Sequence, residues 1–209
     1  YTGYGAGCGV LIEKKFFLNI GGFDEYYFYG VEEMDLGYQI WLRGYKVLYV
    51  PTAVMYHYMG RTALQGKGST PAIEFLMMRN GLYFIFKNLQ FWTALNGFFW
   101  FNMKAFFKIV HALVHKNFRI VAAIGRSYFY FLKDLKKMFR ARRSTQASRK
   151  LTDRGLYRLG VLLRTKDMIR AYSTGMKKIK TYFSGDFYVA KDTVDIKIDK
   201  KGELAFYKI

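Results

Sequence analysis

The sequence contains little cysteine and little proline. Cys8 is the only cysteine, so the chain cannot form an internal disulfide, and a reducing compartment suits it. With only 2 prolines and 52% hydrophobic residues, the composition is not that of a disordered chain. A long hydrophobic run is also missing, since the most apolar stretch, residues 89–101, is too short for a clean membrane span. These absences exclude a disulfide scaffold and an intrinsically disordered protein.

Acidic residues are scarce, and their distribution divides the chain into two parts. The formal net charge is +19, from 34 Lys and Arg against 15 Asp and Glu. Residues 1–62 hold 5 basic and 6 acidic side chains, whereas residues 63–209 hold 29 and 9. The basic part favours a polyanionic partner such as anionic lipid, nucleic acid or a phosphate-bearing substrate. Because the chain begins at Tyr1 rather than at a methionine, we expect it to be a piece of a longer protein.

The first 62 residues predict an α/β fold. Short apolar runs bounded by Gly or Pro predict strands, and apolar residues at steps of three and four predict helices. The expected order is strand 10–12, helix 14–20, helix 31–43, strand 46–50 and strand 53–58. Gly44 is a suitable C-terminal cap for the second helix.

Residues 63–180 predict a basic, amphipathic helical extension, and residues 181–209 a small β hairpin. Residues 72–140 are expected to be helical almost throughout, followed by a basic polar hinge at 140–150. A polar stripe at helical spacing runs along part of this region and comprises Lys104, Lys108, His111 and His115. The two histidines have the spacing of a metal chelate, but the neighbouring lysines favour a polar helix face.

Large aromatic residues crowd positions 90–110, and two interpretations stay open for them. They either pack as a helical core on the preceding domain, or form a belt at a membrane interface with Lys and Arg at the lipid headgroups. Basic residues among aromatics also suit single-stranded nucleic acid, which the absence of a recognition motif disfavours.

The most informative stretch is residues 21–57. It contains Gly-Gly-Phe-Asp-Glu at 21–25 and three carboxylates at the start of a helix, Glu32, Glu33 and Asp35. Acidic residues at a helix N-terminus are often there because the helix dipole stabilises them. A catalytic interpretation requires one of them to act as a general base in a cleft.

The order of these motifs resembles the second half of the family 2 glycosyltransferases. That family shows Gly-Gly-Phe-Asp-Glu, then an acidic helix start, a Gly-Tyr-basic-Val strand and a strand ending in His, which here would be Gly44 to Val47 and His57. The similarity covers roughly residues 1–87 and extends to Arg79-Asn80 and Lys87-Asn88. It implies a partial GT-A (Rossmann-like) catalytic domain in residues 1–62.

The resemblance also implies roles for individual residues. The family's catalytic base falls on Glu33, where the family has Asp, with Glu32 as the fallback and Asp35 in a supporting, hydrogen-bonding role. Asp24 and Glu25 match the segment that lines the acceptor side. These positions imply transfer of a sugar from a nucleotide-diphosphate sugar to a hydroxyl acceptor, by an inverting single displacement.

Two further residues match positions that lie near the donor diphosphate in the family. His57 corresponds to the histidine that helps to hold Mg²⁺ or Mn²⁺ on the diphosphate, although a lone histidine after a strand is more often a packed or exposed residue. Arg61 could meet a phosphate, but a solvated loop arginine is slightly favoured. The half that grips the nucleotide is expected upstream of Tyr1, so the 209 residues alone would be inactive.

The basic, aromatic extension further suggests where such an enzyme would work, because it would bring the enzyme to a lipid substrate. The expected acceptor is a lipid-linked glycan or a cell-surface polysaccharide, and the expected place is the cytoplasm, peripheral at the inner face of the cell membrane. A non-enzymatic helical protein that binds anionic membrane or nucleic acid is the alternative from another class. A processive synthase with true membrane spans is a closer alternative, which the lysines at 87, 104 and 108 disfavour.

Overall fold

The computed structural model describes residues 1–5, 7–53 and 70–163. Those residues form α-helices joined by turns and contain no β-strand. The helices are α1 Lys14–Asn19, α2 Glu32–Leu42, α3 Pro71–Asn88, α4 Phe91–Val114, α5 Phe118–Lys133, α6 Leu135–Ala147 and α7 Asp153–Arg158. The helices predicted at 14–20, 31–43 and through 72–140 are therefore confirmed.

Helix α3 is the centre of the fold and contacts α2, α4, α5 and α6. It begins where the Thr70 side chain accepts a hydrogen bond from the Ile73 amide (3.3 Å), with a proline in its first turn. One side of α3 packs Ile85 and Leu89 against α2, α4 and α7. Other sides pack Tyr83 against α6 and against the turn before α2, and Met78 against α4 and α5. Its burial on several sides makes α3 the scaffold for the acidic segment.

Helix α2 ends in the way its sequence predicts. Gly44 has φ +82°, and the helix closes with hydrogen bonds from Gly44 N to Trp41 O (2.9 Å) and from Tyr45 N to Ile40 O (3.1 Å). This pair of bonds is a Schellman motif, which needs a left-handed residue and therefore favours glycine. Leu42 and Trp41, in the last turn, are buried against α3, α4 and α7.

The hinge predicted at 140–150 is wrong for most of its length, because α6 continues to Ala147. The polar residues of α6 satisfy the carbonyl groups at the C-terminal end of α3. Gln146 donates to Lys87 O (3.1 Å) and Asn88 O (3.0 Å), and Arg142 donates to Leu89 O (2.8 Å). A helix leaves its last carbonyls without partners, so these contacts order a segment that its composition alone predicts to be solvated.

The predicted α/β fold is also wrong within the described residues. Residues 10–12 and 46–50 have no strand partners there, and Thr2 N to Val47 O (3.0 Å) is an isolated hydrogen bond rather than a ladder. Their apolar side chains are covered only in part, since Leu11 is 86% and Tyr49 is 72% exposed, whereas Val47 packs partly buried against the core. An apolar run becomes a strand only when a neighbour pairs with its backbone.

Some predictions fall outside the described residues. They are the strand at 53–58 beyond Ala53, the part of the helical extension 63–180 that lies beyond residue 163, and the hairpin of 181–209. The boundaries 1–62, 63–180 and 181–209 stay a prediction. Within the described part, helix α2 shares its core with α3, α4 and α7.

None of the helices in the described ranges combines the length and apolar character needed to cross a bilayer.

Candidate functional site

The acidic start of α2 sends its carboxylates to different sides of the helix. Successive helical residues are rotated by about 100°, so Glu33 and Asp35 point roughly 160° apart. Glu33 is half-buried and faces the N-terminal glycine-rich segment, whereas Asp35 is 3% exposed and faces α3. The three acidic residues therefore do not form one cluster.

Glu33 lines a cavity of about 170 Å³ whose other walls are glycine and apolar side chains. Its Oε1 accepts a hydrogen bond from Gly7 N at 2.8 Å. A Cβ on Gly7 would lie 2.3 Å from that oxygen, so only glycine lets the backbone approach the carboxylate this closely. The second oxygen receives no hydrogen bond from the described residues. A carboxylate held by one oxygen in a small apolar cavity has an acceptor left for a ligand hydroxyl.

Glu32 occupies the first turn of α2 and lines neither of the two main pockets. In the part of the chain that the structure describes, its Oε2 is buried and has no hydrogen-bond partner. Buried carboxylate oxygens are nearly always hydrogen-bonded. Glu32 therefore provides a second carboxylate oxygen, close to the start of α2, that can accept a hydrogen bond.

Asp24 and Asp35 meet across the ammonium group of Lys87. Lys87 Nζ lies 2.7 Å from Asp24 Oδ2 and 2.8 Å from Asp35 Oδ2, and its side chain is 7% exposed. Asp24 also accepts from the Tyr83 hydroxyl (2.6 Å). Asp35 accepts from the hydroxyl of Tyr27 (2.9 Å) and, like Asp24, has hydrogen-bond partners for both of its oxygens within the fold. This arrangement agrees with a supporting role for Asp35, although it does not test that role.

The surroundings of Asp24 lower the pKa of its carboxyl below its ordinary value of 3.8. Partial burial acts to raise it, but the charge of Lys87 and hydrogen bonds from Lys87, Tyr83 and the Tyr26 amide outweigh that effect. Because the folded-state pKa is the lower one, the resulting stability is fully present above pH 3.8. It is lost as the pH falls from there through the folded-state pKa.

The Asp24→Asn variant is expected to lose this acid-dependent part of the stability. The free energy of unfolding of the wild type should fall more steeply below about pH 4 than that of the variant. Chemical unfolding at a series of pH values between neutral and pH 3 measures both slopes. Glu25→Gln, a neighbouring change on an exposed side chain, should follow the wild-type profile. If the free energy of unfolding falls equally steeply with pH in the wild type and in Asp24→Asn, the pKa of Asp24 is not lowered in the folded state.

A second, larger pocket of about 430 Å³ lies on the Asp35 side of α2. Carboxylates and basic groups line it together: Asp24, Glu25, Asp35, Arg43, Lys87 and Lys137. The pocket is in the size range of small-ligand sites, and its polar lining suits a ligand with many hydroxyl or phosphate groups. Phe23 lines both pockets, so the two are neighbours across that ring.

Several polar residues of α3 hold the site together, and the sequence analysis gave them no role. They recur at steps of three and four and so share one face of the helix: Arg79, Asn80, Tyr83, Lys87 and Asn88. Polar residues at that spacing in an apolar helix are the signal that identifies them. Asn88 donates to Asp35 Oδ1 (2.6 Å), and Arg79 donates to Tyr26 O (2.7 Å).

The turn before α2 is strained, and Asn80 fixes it. Val31 has φ +79°, which is costly for a β-branched residue, and it precedes Glu32 directly. Asn80 is fully buried, and its Nδ2 lies 2.8 Å from the carbonyl oxygens of Tyr27, Tyr29 and Gly30. The Asn80 side chain, on α3, thus holds the turn that sets the direction in which α2 begins.

The described residues do not by themselves form a metal site. No group of three His, Cys, Asp or Glu is close enough within residues 1–53 and 70–163, and Asp24 and Asp35 already share Lys87. His57 and Arg61 lie outside the described residues. His111 and His115 stack with ring centroids 4.1 Å apart, and one ring nitrogen of His115 contacts the His111 carbonyl oxygen, which agrees with a polar helix face.

A stretch of 57 residues is 37% identical to the N-acetylglucosaminyl-diphospho-decaprenol L-rhamnosyltransferase of Mycobacterium tuberculosis, in strains CDC 1551 / Oshkosh and ATCC 25618 / H37Rv. The stretch is 27% of this chain and spans about a fifth of the rhamnosyltransferase, 19% of its length. No family model and no solved structure matches the chain. The similarity relates part of the chain to a glycosyltransferase, while membership of family 2 stays a prediction.

Proposed function

We propose that the chain belongs to a glycosyltransferase that moves a sugar from a nucleoside-diphosphate sugar to a hydroxyl of a lipid-linked or cell-surface glycan. The observation that carries the proposal is the 57-residue similarity to a rhamnosyltransferase that acts on a diphospho-decaprenol-linked sugar. The cavity beside Glu33 and the polar pocket beside Asp24 give that similarity a structural counterpart. By analogy, the acceptor is a sugar on a polyprenyl diphosphate.

Glu33 is the proposed general base. The acceptor hydroxyl would donate its proton to the free oxygen of Glu33 while its own oxygen attacks the anomeric carbon of the donor. The bond from that carbon to the diphosphate breaks, and the electron pair leaves with the nucleoside diphosphate. A single displacement of this kind inverts the configuration at the anomeric carbon.

The remaining residues have supporting parts in the proposal. Asp24 and Glu25 would accept hydrogen bonds from hydroxyls of the acceptor sugar in the larger pocket. Asp35 would act indirectly, since its bonds to Lys87 and Asn88 hold α2 against α3. Glu32, with its buried and unpartnered oxygen among the described residues, is the second choice for the base. A divalent ion on the leaving diphosphate stays part of the proposal, with no described residue assigned to hold it.

A transfer assay tests the function on the protein encoded by the complete reading frame. The probes are labelled nucleoside-diphosphate sugars, starting with L-rhamnose, and a synthetic N-acetylglucosaminyl-diphospho-polyprenol acceptor. We expect label in the lipid fraction, with the anomeric configuration of the donor inverted. A retained configuration would contradict the single displacement, and no transfer from any nucleoside-diphosphate sugar would overturn the proposed function.

A further inference from the structure

Helix α4 exposes a line of large apolar side chains along its whole length. Trp92, Phe99, Phe106 and Leu113 recur at steps of seven and are 77%, 56%, 55% and 47% exposed. A step of seven is nearly two full turns, so these side chains lie on one side of the helix. With 24 residues, α4 is about 36 Å long. Isolated exposed apolar residues are ordinary, but a continuous line of this length indicates a binding surface.

The apolar line continues onto α5. Phe118 and Leu132 are 64% and 62% exposed, and they too are separated by a multiple of seven residues. On α5 the buried residues Ala123, Ile124 and Ser127 face the core, so Phe118 and Leu132 lie on the outer side.

Helices α4 and α5 both expose the side that faces away from α3. Helix α4 faces α3 through Phe101, whose ring closes on Gly81, and through Lys108, which pairs with Glu74 at 2.5 Å. The line at Trp92 and Phe99 is on the opposite side of α4 from these contacts. Since α3 also lies beneath α5, the exposed residues of both helices form one surface, called here the α4–α5 apolar surface.

Basic residues border this surface and acidic residues are absent from its helices. Residues 91–133 contain six Lys or Arg and no Asp or Glu. Arg119, Arg126 and Lys133 are exposed and follow one flank of α5 at steps of seven, whereas Lys104 is exposed on the side of α4 that also carries Lys108. A flat apolar face with basic flanks is the arrangement of helices that lie in the headgroup region of a membrane.

We propose that the α4–α5 apolar surface docks this protein on an anionic lipid bilayer, with α4 parallel to the membrane plane. The positive charge of the basic residues beside the surface favours an anionic bilayer over a second copy of the chain as its partner. A second copy of the chain would meet the surface with the same basic border, and residues 91–133 offer no carboxylate to pair with it. Anionic headgroups supply that charge and attract the Lys and Arg residues near them.

Tryptophan fluorescence reports the docking directly. Of the three tryptophans of the chain, Trp92 and Trp100 are 77% and 48% exposed on α4, whereas Trp41 is 2% exposed in the core. Mixing with vesicles of phosphatidylglycerol and phosphatidylcholine should shift the emission to shorter wavelength, and brominated acyl chains should quench it. Vesicles of phosphatidylcholine alone should bind at least about tenfold more weakly, and added salt should weaken the anionic binding.

Two sets of variants separate the apolar and the electrostatic contributions. Phe99→Gln with Phe106→Gln and Leu113→Gln keeps all tryptophans and should lower the vesicle partition coefficient at least about tenfold. Arg119→Gln with Lys133→Gln should lower binding to the anionic vesicles by about tenfold. The control removes apolar residues elsewhere that are even more exposed, Leu11→Gln with Leu18→Gln (86% and 62%), and should bind as the wild type does.

Several outcomes would overturn the proposal. No flotation with anionic vesicles at low salt would remove it, and so would wild-type binding by the triple glutamine variant, which would indicate surface charge alone. A dimer in analytical ultracentrifugation that the triple variant dissociates, without vesicle binding, would instead assign the surface to a second copy. Loss of transfer activity by Glu33→Gln with vesicle binding intact leaves the docking proposal standing, so the two proposals can fail separately.

Discussion

Replacing Lys87 by Met is expected to lower the free energy of unfolding by about 3–5 kcal/mol, because it leaves the buried carboxylate of Asp35 and the partly buried carboxylate of Asp24 without their cation. Lys87 Nζ is within 2.8 Å of both Asp24 and Asp35, and the side chains of Lys87 and Asp35 are only 7% and 4% exposed. Methionine keeps the length and apolar stem of the side chain. The loss is therefore attributable to the charge and its hydrogen bonds. Chemical denaturation at neutral pH, with circular dichroism as the signal, measures it.

Lys136→Met is the matched control, since Lys136 is exposed on α6. A surface change of this kind should shift the free energy of unfolding by no more than about 0.5 kcal/mol. Adding Asp24→Asn and Asp35→Asn to Lys87→Met should recover part of the loss, because neutral amides no longer need the cation. A loss for Lys87→Met no larger than that of the control would show that the ion pairs do not hold α2 on α3.

Replacing Glu33 by Gln is expected to lower kcat for sugar transfer by about 100- to 10,000-fold, the usual contribution of a general base. Glutamine has the same shape and can keep the hydrogen bond from Gly7 through its carbonyl oxygen. It cannot take up the acceptor proton, so KM should change little. Glu33→Asp keeps a carboxylate where the family 2 resemblance expects one and should retain more activity than Glu33→Gln. Glu13→Gln, on an exposed residue before α1, should leave kcat within about twofold.

Gly7→Ala tests the position of the carboxylate without removing it. The added Cβ would come within 2.3 Å of Glu33 Oε1 and displace it. A displacement of about 1 Å can cost on the order of 100-fold in rate, so kcat should fall while overall stability changes little. Full activity in both Gly7→Ala and Glu33→Gln would remove Glu33 as the base. The same measurement on Glu32→Gln would then decide whether its neighbour has that role.

Helices and their ends could be predicted from the sequence because their signals are local. Helix α2 shows apolar residues at steps of three and four and a glycine where the left-handed cap occurs, Gly44. The long helical region from residue 72 to 140 has the same local character and is helical apart from short breaks. Such elements require only neighbours a few residues away.

The strands and the hinge could not be predicted correctly because their outcome depends on distant residues. Residues 46–50 have a strand-like composition, but a strand requires a hydrogen-bonded neighbour, and none lies in the described residues. Residues 140–147 are basic and polar, but Arg142 and Gln146 find the exposed carbonyls at the end of α3 and remain helical.

By itself, the sequence determined where the helices lie, that the acidic residues gather at the start of α2, and that the aromatic and basic residues share α4 and α5. Each of these depends on residue order and on the helical period of 3.6 residues. The tertiary structure alone decided that Lys87 pairs with both Asp24 and Asp35, while Glu33 faces a separate cavity. It also decided that the aromatic line of α4 faces outward. Contacts between residues some 50 positions apart along the chain arise only when α3 packs against α2, and no local pattern specifies them.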